Sequence, residues 1–172
     1  MALDPKPVSE SCAQLIRWMG ITDANSAGNV HGGTVMRLAD EAAALAAVKH
    51  SHSRVVTVAM DRMNFLYPIY LGDLVTFSAT VNAAWRTSME VGVRVDAENP
   101  RTGASRHTNT AYLTMVALDE ESHPTPVPGV IATSPVEKRR MREAELRRAN
   151  RLAERAQIVS GRGREETRRS TA

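Results

Sequence analysis

Cysteine is almost absent from this 172-residue chain: Cys12 stands alone. That excludes an intramolecular disulfide framework and a thiolate zinc site of the finger type. Cys12 precedes a short apolar segment (Ala13, Leu15, Ile16, Trp18) and reads as a structural thiol, not a nucleophile. Aromatic residues are scarce as well, at 4%. No stretch approaches the roughly 20 consecutive apolar residues that a helical membrane span needs. The first ten residues hold Asp4, Pro5, Lys6 and Pro7 without an apolar run. No secretory signal is therefore expected, and the expected compartment is the cytoplasm. The histidines, at positions 31, 50, 52, 107 and 123, lack metal-ligand spacing, so neither a metal nor another cofactor is expected. A Gly-x-Ser-x-Gly nucleophile motif is missing too.

What is present fits one soluble core with an appendage. The length suits a single domain. The net charge of +3 conceals an asymmetry: residues 1–135 carry 10 Lys/Arg against 13 Asp/Glu, and residues 136–172 carry 12 against 6. The basic character belongs to the tail. Residues 1–130 are expected to form the domain. Residues 131–172 are expected to supply the end of a Pro-rich linker (Pro124, Pro126, Pro128, Pro135), then a charged helix over 136–157 and a disordered tail from about residue 160. The charged helix interleaves Glu with Arg and has few large apolar residues, which suggests a solvated helix with i,i+4 charge pairs. Without aromatics for base stacking it gives no reason to expect nucleic-acid binding.

Within the domain, residues 12–19 read as a short strand, and Thr22 to Asn29 as a loop rich in Asn, Asp, Ser and Gly. Thr34 to Lys49 is Ala-rich and free of Gly and Pro, so it predicts a helix, small-sided and buried nearly all round. Strand patterns follow over 55–65, 74–85, 89–95 and 107–118. Short links between them imply antiparallel pairing. The fold class expected is α+β, an antiparallel sheet wrapped around a long helix. The open sheet edges call for a second copy of the chain.

The chemistry concentrates between Asp23 and Asp40. His31-Gly32-Gly33 lies where a polar loop enters a helix. Helix N-termini present unpaired N–H groups, and glycine lets a ligand approach them, as in an oxyanion site. The alternative is a tight turn into a buried helix. Asp40 follows Gly33 by two helical turns, among small apolar neighbours. A carboxylate there costs free energy unless paired or useful; it is either a general base or a structural acid paired with Arg37. Glu41 lies about 100° round the helix and reads as a solvated or interface residue. Asn25 could hold a carbonyl oxygen or a water, or form an Asx-turn. Gly33 and Asp40 stand about 10 Å apart along the helix, far for both to touch one small reacting group, so a second chain is expected to bring its loop to Asp40.

The motifs Asp23-Ala24-Asn25-Ser26-Ala27-Gly28-Asn29-Val30-His31-Gly32-Gly33-Thr34 and Leu38-Ala39-Asp40-Glu41-Ala42 resemble the acyl-CoA hydrolase family of the hotdog fold. So do Val56-Thr57-Val58, Asn64-Phe65, Pro68-Ile69, Gly72-Asp73, Thr87-Ser88-Met89-Glu90-Val91 and Pro126-Val127-Pro128. The resemblance spans about residues 12–130. It implies metal-free hydrolysis of acyl-CoA, with Asp40 and Asn25 as catalytic residues. It implies His31, Gly32, Gly33, Thr57, Arg86, Thr87 and Ser88 as substrate-binding residues. In tandem-domain relatives the catalytic pair is divided between two domains; here it implies a homodimer, assembled as a trimer of dimers. One departure is Trp85 before Arg86-Thr87-Ser88, where many relatives have glycine. Chain-length preference would rest on pocket residues such as Met63, Leu66, Tyr67 and Tyr70. Two other readings remain open: a hotdog enoyl-CoA hydratase, for which His31 stands too late after Asp23-x-Asn25, and a non-enzymatic CoA-sensing module.

Overall fold

The computed structural model describes residues 3–170, with side chains up to Ser160. The chain opens with strand β1 (Lys6–Pro7), a short 3-10 turn (Val8–Ser11) and strand β2 (Ala13–Trp18). A loop leads into helix α1 (Gly32–Ser51). Four long strands follow: β3 (Arg54–Phe65), β4 (Leu74–Ala84), β5 (Ser88–Glu98) and β6 (Ser105–Leu118). The chain ends with β7 (Val130–Ile131) and helix α2 (Pro135–Ser170). Helix α1 and the expected strands are present within a few residues of the expected bounds, while α2 runs on to Ser170, past the expected end at residue 157.

The five longer strands form one antiparallel sheet in the order β2-β4-β5-β6-β3. Its inner face is built by period-2 alternation. Val75, Phe77, Ala79 and Val81 of β4 are buried, as are Met89, Val91, Val93 and Val95 of β5 and Ala111, Leu113, Met115 and Ala117 of β6. α1 lies in the concavity. Ala39, Ala42, Ala43, Ala46 and Ala47 have no exposed surface. Their small side chains let the sheet close round the helix, while Val35 and Leu38 fill the wider space near its start. This is the helix-in-sheet arrangement of the hotdog fold.

α1 has defined ends. His31 is its N-cap, with Nδ1 accepting the Gly33 N–H at 2.9 Å. His52 stops it in the left-handed conformation (φ 52°). The Pro-rich stretch expected as a linker runs along the core. Val127 is buried; its N–H reaches Arg86 O (3.1 Å), Pro128 O meets the buried His50 Nε2 (2.9 Å), and β7 pairs in parallel with β1.

The outer face of the sheet carries α2, and here the solvated-helix expectation needs correction. The charge pair Arg139–Glu143 is as expected, but the opposite side of the helix is docked. Ala144 is fully buried. The Arg147 guanidinium forks onto Glu90 of β5 (2.6 and 3.1 Å) and lies 3.6 Å from the Tyr112 ring centroid on β6. Arg148 stacks 4.7 Å from the Trp85 ring, and Arg151 pairs with Asp61 of β3. Sequence hydrophobicity conceals this docking because arginine supplies it. The disordered tail expected from residue 160 falls, from residue 161 onward, outside the residues with described side chains. Among the described residues no helix is long and apolar enough to cross a membrane.

Candidate active site

The predicted site residues separate into three places on one chain. The first is the entry to α1. Backbone contacts pull the loop closed: His31 N–H to Asp23 O (2.7 Å), Asn25 N–H to Asn29 O (2.7 Å), Val30 N–H to Ile69 O (2.9 Å). Asn25 Oδ1 accepts the N–H groups of Ala27 (2.9 Å) and Asn29 (3.1 Å). The Asx-turn therefore forms, and it fixes the amide plane so that Nδ2 is the end left to donate. The terminal amides of the helix are allocated in a similar way. Thr34 and Val35 N–H point to His31 O, and Gly33 N–H goes to the His31 ring. Gly32 N–H has no partner among the described residues. Of the two glycine donors expected from the sequence, one is already used.

Asn25, Gly32 and Val35 line one cleft with Phe65, Leu66, Tyr67 and Ile69, about 320 Å³ in volume. Leu66, Tyr67 and Phe65 are exposed apolar residues at its mouth. Phe65 stood in one of the family motifs but was given no site role; its strand position gave no sign that its ring would stand 3.5 Å from the place of a Gly32 Cβ. Met63 and Tyr70 do not line this cleft.

The second place lies two turns along the helix. Asp40 Oδ1 accepts the Thr57 Oγ1 hydroxyl of β3 at 2.5 Å, and Met115 Sδ stands 3.3 Å from the same hydroxyl. Arg37 pairs with Glu41, one turn on, and not with Asp40. That removes the structural-acid alternative in the form expected and accounts for Glu41 as a surface partner. Asp40 is half-buried among alanines, held by one hydroxyl, with its other oxygen open. Eight residues separate it from Gly32, about 12 Å along α1.

The third place is the β4–β5 turn. Trp85 N–H bonds to Ser88 O (2.8 Å), and Thr87 O accepts from Ala117 (3.0 Å). Arg86 is exposed; Thr87 and Ser88 are half-buried. Sheet register puts Ser88, Val116 and Val56 in one row, so the turn lies two strands, roughly 10 Å, from the Thr57 neighbourhood. Trp85 is clamped under Arg148 of α2. His50 is bound to Pro128 O and His107 lies beside Thr110 and Asp96, and neither lines the cleft. Among the described residues no three His, Cys, Asp or Glu side chains gather where they could hold a metal ion. Asp23 is buried, with Oδ2 accepting Gly20 N–H at 2.8 Å and so closing the loop.

A family profile described as the thioesterase superfamily matches residues 27–104, from the loop through β5 and its following turn. A hexameric apo acyl-CoA thioesterase has a TM-score of 0.86 and 39% identity, over 90% of this chain and 99% of that one. The chain belongs to the thioesterase superfamily. The acyl-CoA hydrolase of Staphylococcus aureus, solved with butyryl coenzyme A and coenzyme A, superposes with a TM-score of 0.83 at 37% identity, covering 90% of this thioesterase and 94% of its own chain. Further structures of the S. aureus protein carry alanine in place of an asparagine, an aspartate and a threonine, spaced along its chain as Asn25, Asp40 and Thr57 are here. The human cytosolic acyl coenzyme A thioester hydrolase is 35% identical over 147 residues, 84% of this chain and 38% of that longer protein.

Proposed function

We propose that this thioesterase hydrolyses acyl-CoA to the free acid and CoA at sites built from two copies of the chain. The observation that carries the reading is the separation of two complementary half-sites. One holds donors, Asn25 Nδ2 and Gly32 N–H, on a cleft with apolar walls. The other holds a carboxylate, Asp40, with one oxygen engaged by Thr57. Antiparallel pairing of β3 with the β3 strand of a second copy would set the Thr57 end of one against the Phe65 end of the other. Each Asp40 would then face a foreign Asn25 and Gly32, and the dimer would hold two equivalent sites. β3 is an open edge with Val56 and Val58 exposed, which supports this pairing.

In the mechanism, the thioester carbonyl oxygen accepts from Asn25 Nδ2 and Gly32 N–H, which stabilise the charge that develops as the carbon becomes tetrahedral. Thr57 holds Asp40 in one rotamer. Asp40 takes a proton from water as the water oxygen bonds to the carbonyl carbon. The C–S bond then breaks, and the proton passes to the departing thiolate. Direct attack by the Asp40 carboxylate, giving an anhydride that water opens, uses the same geometry. His31 acts as the cap that frees Gly32 N–H and occupies Gly33 N–H. Arg86, Thr87 and Ser88 are assigned to the CoA moiety, with Arg86 for its phosphates. Residues 1–130 carry this chemistry, and residues 131–172 are an appendage to it. Dimers assemble further as three pairs, and the compartment is the cytoplasm; hexameric and cytosolic relatives support these two points.

The deciding experiment is thiol release from acyl-CoAs of two to eighteen carbons. Many turnovers per chain are expected, lost by at least about 10²-fold in Asp40→Asn with CoA binding retained. Full turnover in Asp40→Asn would overturn the assignment. A folded protein that binds CoA but turns over no acyl-CoA would replace hydrolysis with CoA sensing.

A further inference from the structure

The course of α2 carries an inference about how two copies hold each other. Its contacts span the sheet from the end of β4 to β3. Arg148 lies on Trp85 at the end of β4, Arg147 on Glu90 of β5 and Tyr112 of β6, and Arg151 on Asp61 of β3. The helix therefore reaches the sheet edge at Arg151 and does not stop there. The nine residues from Leu152 to Ser160 add about 13 Å, more than the spacing of two further strands. All nine are exposed, including Leu152, Ile158 and Val159 at 49%, 49% and 60%. A short, exposed helical segment is marginal in water.

The face turned toward the sheet plane continues past the edge. Arg147, Arg151 and Arg155 are four residues apart, and Ile158 follows on the same side. The first two arginines each find a carboxylate on the sheet. Arg155 is exposed and makes no ion pair among the described residues. It stands about 6 Å further along the axis, where a strand added at the β3 edge would lie.

We propose that Leu152–Val159 is an arm that crosses to a second copy of this chain. Arg155 and Ile158 bear on the outer face of the partner's sheet, and each copy gives one arm and receives one. This rests on the pairing of two β3 strands stated above and adds to it a second contact on the opposite side of the sheet from the acyl-CoA sites. The occupant is a second copy, because the arm overhangs the edge that such a copy extends.

Sedimentation of the full chain over a concentration series tests both steps separately. Wild-type protein that stays monomeric throughout overturns the β3 pairing, and the arm with it. With the wild type dimeric, Ile158→Asp is expected to raise the dimer dissociation constant at least about tenfold, at unchanged helix content by circular dichroism. An unchanged constant overturns the arm and leaves the β3 pairing standing. Amide exchange gives the second readout: residues 152–160 should be protected in the dimer and lose protection on dilution to monomer. Equal exchange in both states also overturns it.

Discussion

Replacing Arg147 by alanine should destabilise the fold far more than a surface arginine warrants. Glu90 has no exposed surface, and its carboxylate is held by Arg147 at 2.6 and 3.1 Å and by Asn82 Nδ2 at 3.2 Å. Removing the guanidinium leaves a buried charge with one neutral donor, a loss of about 3–5 kcal/mol. The cation–π contact with Tyr112, at 3.6 Å, adds about 1–2 kcal/mol. Urea unfolding followed by circular dichroism, at fixed protein concentration, measures the sum as a fall in midpoint at constant m. The pair Glu90→Met with Arg147→Met provides the internal control. Removing both charges abolishes the orphan, so the double variant should recover most of the loss. A loss below about 1 kcal/mol in Arg147→Ala, or a double variant less stable than the single, would refute the claim that buried charge fastens α2.

Gly92→Ala should cost about 1–3 kcal/mol in the same assay, because its Cβ would stand 2.6 Å from Asn82 Nδ2 within that buried network. Gly33→Ala should be less stable than Gly32→Ala. A Cβ at Gly33 meets the His31 ring at 3.0 Å and presses on the cap, whereas one at Gly32 meets only Phe65 at an ordinary 3.5 Å and gains about 0.4–1 kcal/mol from reduced chain entropy. His50 should give the fold an acid sensitivity. Burial holds its pKa below 6.5, against the pull of Pro128 O, so the unfolded chain binds the proton more readily. Its contribution is complete above about pH 6.5 and is lost progressively as pH falls below that value. His50→Gln should flatten this part of the stability–pH curve, and an unchanged slope would contradict the assignment.

The strands and α1 were legible because each carries its own periodicity and its own breakers. The Ala run predicted a helix buried nearly all round, and the long antiparallel strands after it pointed to a sheet wrapped around it. The chemistry of Asp40 was half legible. Its lack of an apolar role showed in the sequence, but its partner did not, since Thr57 is one of many strand threonines and only register brings it to the helix. Arg37 was the nearer candidate by sequence distance, but it pairs with Glu41, whose spacing at i,i+4 suits a charge pair better. Asn25 had two readings as loop former and as donor, and the geometry uses its two amide ends differently: Oδ1 closes the loop, and Nδ2 is left over. Sequence spacing also could not show that the His31 ring takes one of the two glycine amides. The docking of α2 was missed for a plainer reason. Hydrophobicity marks a buried helix face, and this one is held by ion pairs and a single buried alanine.

The strap of residues 124–131 has a consequence for how such a chain can change over evolutionary time. It is fastened to Arg86, His50 and β1 before α2 begins. The helix is thus joined to a finished core through one short crossing and can be lengthened, rewritten or dropped without unlacing what precedes it. Loss of the whole helix also uncovers Glu90 to water, where a carboxylate is at ease, while loss of Arg147 alone leaves the same carboxylate buried and unmatched. Descendants of this sequence thus have a gentler route to discarding the appendage entire than to eroding it one arginine at a time.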